Sequence, residues 1–303
     1  MSGPPRPLLR AELFRIAQRH SVPVDIVEKD YVLSYLLAGI ADVPGLHTLR
    51  FKGGTALKKM YFGDYRFSEY LDFSSVDVPN SGDLEPLIDA SVRSAQRRLS
   101  SRGRFQISLS RHPEHGPHPT GQDAFRVLAA FPWQRSPMVR VKIEVTHDEP
   151  VLLLAPDRAL HHGYEELGEH LDDVRLATYA LEEIVAEKLR ALLQTQLRLA
   201  LRGWNRPRAR DYYDLWRILA GRGQDLDPLL VRRILPEKLA ARGVRYSSVD
   251  DFFTPDLRSE ARRHWRTNLA MFVPALPEVD TVLGELHPLI ATLLQGSGIK
   301  PPL

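Results

Sequence analysis

The segment FKGGTALKKMYFGDYRFSEYLDFSS, residues 51–75, restricts the possible folds more than any other part of the chain. An extended start runs into Gly53-Gly54-Thr55, a short helical stretch follows, and the chain then alternates through Tyr70, Leu71, Asp72 and Phe73. A glycine pair lets the backbone turn tightly and approach a ligand, and the amides that open a helix favour anions. Alternation puts Tyr70, Asp72 and Ser74 on one face of a strand, with Leu71 and Phe73 on the other. The unit is therefore strand, anion-binding turn, helix, and a strand that presents one carboxylate.

Phosphoryl transfer explains why such residues would be grouped. Its transition state spreads charge over phosphoryl oxygens, so catalysis is mostly positioning and electrostatics. Magnesium takes oxygen ligands, often one or two carboxylates plus phosphate oxygens, and two cations can clamp the attacking and leaving oxygens. Acids at alternate strand positions point the same way, and a neighbouring strand supplies another. Asp72 is one candidate, and Glu144 in VKIEV (141–145) is the second, from a strand expected alongside. The position two residues before Asp72 holds Tyr70.

Periodicity predicts helices near 8–20, 24–41, 55–62 and 83–101, and strands near 48–52, 69–76, 104–111, 122–132 and 138–146. The stretch HPEHGPHPTGQD between two of those strands has turn chemistry, and its His112, His115 and His118 are set aside as metal ligands. Helices at 180–200, 208–221 and 227–239, with two or three more before residue 297, dominate the rest. The expected fold is α+β with a mixed sheet over residues 1–170, followed by a helical domain over 171–303.

With 303 residues and 43% hydrophobic composition the chain can bury full cores. No apolar run approaches the roughly 18–20 residues that cross a bilayer, so no membrane partner is expected. The N-terminal MSGPPRPLLRAELFRIAQRH lacks the apolar core of a secretory signal, and zero cysteines exclude disulfides and thiolate chemistry, which fits a cytoplasmic location. Net charge is only +3, but arginine is concentrated: Arg198, Arg202, Arg206 and Arg208 in one stretch, Arg262 and Arg263 in another. Such clusters bind phosphate backbones by releasing counterions, or simply form a solvated helix face.

KGGTAL followed by RFSE-x-LDFS resembles motif I of the AbiEii/MenT-type nucleotidyltransferase toxins. EKDYVLSYLL (28–37) is similar to that family's N-terminal helix, EEIVAEKLRALL (182–193) to its motif II and RARDYYDLWRIL (208–219) to its motif III. The resemblance covers most of the first 220 residues, and WRTNL (265–269) fits the family's variable helical end more loosely. It implies a polymerase-β-like N-terminal domain that transfers nucleotides from an NTP to an acceptor, the 3′ end of tRNA in MenT relatives, with Mg²⁺ or Mn²⁺. It implies also a toxin–antitoxin system with a cognate antitoxin protein. Carried over, Asp72 and Glu144 match metal-binding acids, Lys188 a phosphate contact and Asp211 an essential acid. Gly53, Gly54, Thr55, Arg66 and Ser68 match the nucleotide pocket, and Ser68 the position some relatives have phosphorylated by a kinase-like antitoxin.

Without the motifs, Lys188 reads as a snorkelling helix lysine and Arg210-Asp211 with Asp214 as a charge pair near a helix start. Glu28-Lys29-Asp30 is expected to pack or form salt bridges, not to do chemistry. Tyr70 departs from the family pattern, which has Asp there. A phenol is a poor magnesium ligand and bulky beside phosphates, although the strand tolerates it. The chain is then a natural nucleotide- or RNA-binding pseudoenzyme, an inactivated toxin, or an enzyme in which Glu69 replaces the lost acid. A catalytically silent regulator and a small-molecule nucleotidyltransferase are the rival functions.

Overall fold

Alternating apolar residues decide which side of the main sheet is covered. The computed structural model describes residues 8–76, 81–112, 121–167, 171–203 and 206–295. They form two compact units, one ending at Tyr179 and the other starting at Ala180. Five strands make the first unit's sheet: β1 (Leu49–Lys52), β2 (Tyr70–Ser75), β3 (Gln106–Arg111), β4 (Gln122–Ala130) and β5 (Val139–Thr146), in the order β1-β2-β5-β4-β3. Only the β2–β5 pair is parallel, so the sheet is mixed as expected. Phe51, Leu71, Phe73, Phe125, Val127, Val141, Ile143 and Val145 are all buried. Burying such side chains stabilises by about 1.5–3 kcal/mol each, which fixes the strand registers.

Helices complete that core. Helix α1 (Leu9–Arg19) packs on α2 (Val24–Ala41), which begins just after Pro23 and is buried from Ile26 to Ile40 except at Lys29. After β1 the chain enters α3 (Gly53–Ala56), which widens into a π-helical turn over Leu57–Phe62. Helix α4 (Ser81–Leu99) then lies against α2 and β3. Two three-residue strands, β6 (Asp157–Ala159) and β7 (Arg175–Ala177), pair antiparallel. They were not expected, because three residues carry too little alternation to be seen in sequence. The HPEHGPHPTGQD loop, with His115 and His118, lies mostly outside the described residues.

The second unit is helical, as expected: α5 (Leu181–Arg202), α6 (Ala209–Arg222), α7 (Pro228–Ala240), α8 (Pro255–Leu269) and α9 (Val279–Leu294). Leu189, Leu192, Tyr212, Leu215, Val231, Trp265 and Ile290 are among its buried side chains. A buried ion pair joins α5 to α7, with the Lys238 ammonium 2.8 Å from Glu183 and 2.8 Å from Glu187. Among the described residues no helix is long and apolar enough to cross a membrane.

Candidate active site and the arginine cluster

On the sheet face opposite the apolar one, β2 sets Asp72 directly across from Glu144 of β5 and from Lys52 of β1. Partnered residues on adjacent strands share a face, so the two candidate carboxylates stand side by side. The chain turns immediately after Lys52. Gly53 has φ +79°, and a Cβ built there would lie 2.7 Å from Asp72 Oδ2. A Cβ on Gly54 would run into the Arg66 guanidinium. Gly53 is favoured by its positive φ, and at both glycines a side chain would push aside a neighbour, the Asp72 carboxylate at one and the Arg66 guanidinium at the other.

Gly53→Ala meets two penalties, the positive φ at about 1–2 kcal/mol and the collision with Asp72. Unfolding in urea is expected to show that loss of stability.

Thr55 is buried, and its hydroxyl donates to the Tyr70 carbonyl, strapping the turn to β2. Arg66 is also buried and donates from Nη1 to the Phe67 carbonyl at 3.3 Å. Ser68 is buried as well, at 7% exposure.

Tyr70 sits at the start of β2, across from Lys142 of β5. The Lys142 ammonium forms an ion pair with Glu144. Asp72 and Glu144, partnered across β2 and β5, are the two carboxylates here that could hold a magnesium or manganese ion, which takes oxygen ligands. Position 70 offers no carboxylate for a second. Glu69 accepts from the Lys29 ammonium at 2.9 Å, so turning it toward the Asp72 face would break that ion pair. Among the described residues no group of three or more His, Asp or Glu is arranged as a metal site.

In the second unit, α5 and α6 bring motif residues together. The Lys188 ammonium donates to Asp211 at 2.8 Å and to Asp214 at 2.7 Å. Arg208 donates to the other Asp211 oxygen at 3.3 Å and to the Thr195 hydroxyl at 3.0 Å. Burial would raise the Asp211 carboxyl, but the Lys188 and Arg208 charges outweigh it and hold the group far below the usual carboxylate range. Asp214, at 0% exposure, was read from sequence only as part of a helix-start charge pair. Its spacing of three from Asp211 was the available signal, since both then face α5.

The arginines divide by environment. Arg208 belongs to the Lys188 cluster. Arg262 pairs with Asp280 at 2.7 Å and Arg263 with Glu260 at 3.4 Å, so that second patch is locally neutralised. Arg198 differs: burial, then the neighbouring Arg202, Arg190 and Arg242, pull its guanidinium below its ordinary value. Arg202 and Arg206 are exposed. Like charge accumulates on the C-terminal part of α5, which is what an anionic partner relieves.

Glu149 was not foreseen either. It forms an ion pair with Lys52 and accepts from the Ser74 hydroxyl at 3.3 Å, while the Tyr179 hydroxyl donates to Ser74 at 2.7 Å. These contacts fix Lys52 just before the turn.

Comparison with known proteins gives a family and a fold. Residues 35–285 match the family described as nucleotidyl transferase AbiEii toxin, type IV TA system. No curated protein matches the chain. Among solved structures it is similar to MenT4, a nucleotidyltransferase toxin from Mycobacterium tuberculosis H37Rv, with a TM-score of 0.64 and 22% identity. That likeness spans 95% of this chain and 90% of the other, and at such identity it is a likeness of fold.

Proposed function

The chain belongs to the AbiEii family of nucleotidyltransferase toxins, and from that premise we propose that it moves a nucleotide from an NTP to the 3′ end of a tRNA. The modified end cannot be aminoacylated, so translation stops until a cognate antitoxin intervenes. The protein acts in the cytoplasm, where both substrates are. The observation that carries this reading is the Asp72–Glu144 pair, set side by side by the β2–β5 register next to the Gly53-Gly54 turn.

The turn's amides and the Arg66 guanidinium receive the NTP phosphates. The acceptor hydroxyl attacks the α-phosphorus. A new P–O bond forms, the bond to the β-phosphate oxygen breaks, pyrophosphate leaves, and the hydroxyl proton passes to a carboxylate of the pair. A magnesium or manganese ion held by Asp72 and Glu144 would neutralise charge on the phosphates. Lys188 remains a proposed phosphate contact and Asp211, with Asp214, its holder. Arg198, Arg202 and Arg206 bind the RNA by its phosphates and shape.

One observation favours a second reading, a catalytically silent nucleotide- or RNA-binding regulator. Tyr70 stands where the resemblance implies a metal-binding acid, across from Lys142, and Lys142 is paired with Glu144. Incubation with α-labelled NTPs, Mg²⁺, total tRNA and a panel of small hydroxylated acceptors separates the readings. Slow labelling of tRNA is the expected outcome. Binding of NTP without label in any acceptor supports the silent regulator, and label in a small acceptor alone overturns the tRNA assignment.

A further inference from the structure

Lys59 is a charged residue buried in the core of the first unit. Its side chain is 0% exposed, inside the π-helical turn that continues α3. The ammonium donates to Asp30 Oδ2 at 2.6 Å and to the Ser34 hydroxyl at 2.9 Å, both from α2. The Tyr164 hydroxyl donates to the same Asp30 oxygen at 2.7 Å, and its ring centre lies 5.5 Å from the Lys59 nitrogen. Burial lowers the Lys59 ammonium to about 8, with the Asp30 charge opposing that fall.

A buried ion pair of this kind adds little net stability over a well-packed apolar pair, so stability alone is a poor reason for it. Geometry gives a better one. Wide turns inside helices are rare and concentrate at functional sites. This one is held on several sides at once. The Lys59 carbonyl accepts from the His161 amide at 2.7 Å, and the Lys58 ammonium donates to the carbonyls of Gly63 at 3.2 Å and Tyr65 at 3.3 Å. Those bonds lead straight into Arg66. Six residues in the other direction, roughly 9 Å along a helix axis, stands Gly53.

We propose that the buried Asp30–Lys59–Tyr164 cluster is a positioning device for the nucleotide: it clamps the turn at 57–62 to α2 and thereby fixes where the Gly53-Gly54 amides and Arg66 stand. Lys59 acts through the turn and touches no substrate. The inference rests on the reading that this turn holds the NTP phosphates, and an independent measurement separates the two.

The test replaces the pair with apolar residues, Asp30→Leu with Lys59→Met, and uses Tyr164→Phe as the milder variant should the double one fail to fold. Three quantities are measured in the full chain: melting temperature, amide hydrogen exchange across residues 53–62, and affinity for each of the four Mg²⁺–NTPs against affinity for tRNA. The expected result is a melting temperature within a few degrees of the parent and exchange at 53–62 faster by about tenfold or more. NTP affinity falls about tenfold while tRNA affinity is unmoved. Tyr164→Phe shifts exchange and NTP affinity the same way by a smaller factor. Unchanged exchange at 53–62 in a folded variant overturns the clamp, and faster exchange with unchanged NTP affinity overturns its role in positioning. A parent chain that binds no NTP sinks the reading of the turn, and the exchange result then still decides whether the clamp exists.

Discussion

Tyr70→Asp is expected to raise nucleotidyl transfer to tRNA by about 100-fold over the parent chain, and to make expression of the gene arrest growth more strongly than the parent does. Asp72 and Glu144 are paired across β2 and β5, Thr55 holds the turn to the Tyr70 carbonyl, and Arg66 lies against Gly54. Single electrostatic contributors to a transition state are commonly worth about 10²–10³ in rate. The lower end applies because Lys142 stands across from position 70, and a new carboxylate there will share that ammonium with Glu144. Three neighbouring carboxylates also repel one another, so Tyr70→Asp is expected to melt lower than the parent without Mg²⁺ and to recover when Mg²⁺ is added. Tyr70→Asn, which removes the ring without adding charge, should not accelerate transfer. Equal rates for Asp and Asn at position 70 would show that the ring's bulk, not the missing acid, limits the parent.

The second large effect is expected at Lys188. Lys188→Met leaves Asp211 and Asp214 without the ammonium that both of them bind, and Asp214 is fully buried. Removing one partner of a buried ion pair costs about 3–5 kcal/mol, so the denaturation midpoint of the second unit should drop sharply. Adding Asp214→Leu should return much of that stability, because an apolar replacement of the whole pair is close to neutral. Transfer in the Tyr70→Asp background should stay low in both variants. Restored activity in the stable double variant would mean that Lys188 only holds α5 to α6.

Residues 51–75 show why part of this was legible in the sequence and part was not. Alternation along 69–76 and 138–146 is a local signal, and it placed Asp72 and Glu144 on strands that do prove adjacent. The glycine pair advertised a close approach, which the structure finds against Asp72 and Arg66. Long-range pairings carry no such signal. Asp30 and Lys59 lie 29 residues apart and meet only because the Lys59 side chain reaches from the widened turn to α2. The ion pair between Lys142 and Glu144 depends on side-chain direction, and β6 and β7 are too short to show a period. Glu28-Lys29-Asp30 was expected to pack or to pair, and it does: Glu28 accepts from Gln134 at 2.9 Å, Lys29 pairs with Glu69 and Asp30 with Lys59. The arginines of α8 are as visible in sequence as those of α5, but only the structure shows Arg262 and Arg263 already paired with acids.

The central claim is that the Asp72–Glu144 pair beside the Gly53-Gly54 turn is the transfer site. Its most direct test is single-turnover labelling of tRNA by an α-labelled NTP, comparing Tyr70→Asp with Tyr70→Asp/Asp72→Asn at matched folded concentration. Label in the tRNA band with the first protein, and at least about 100-fold less with the second, is the expected result. Equal labelling by both proteins would contradict it.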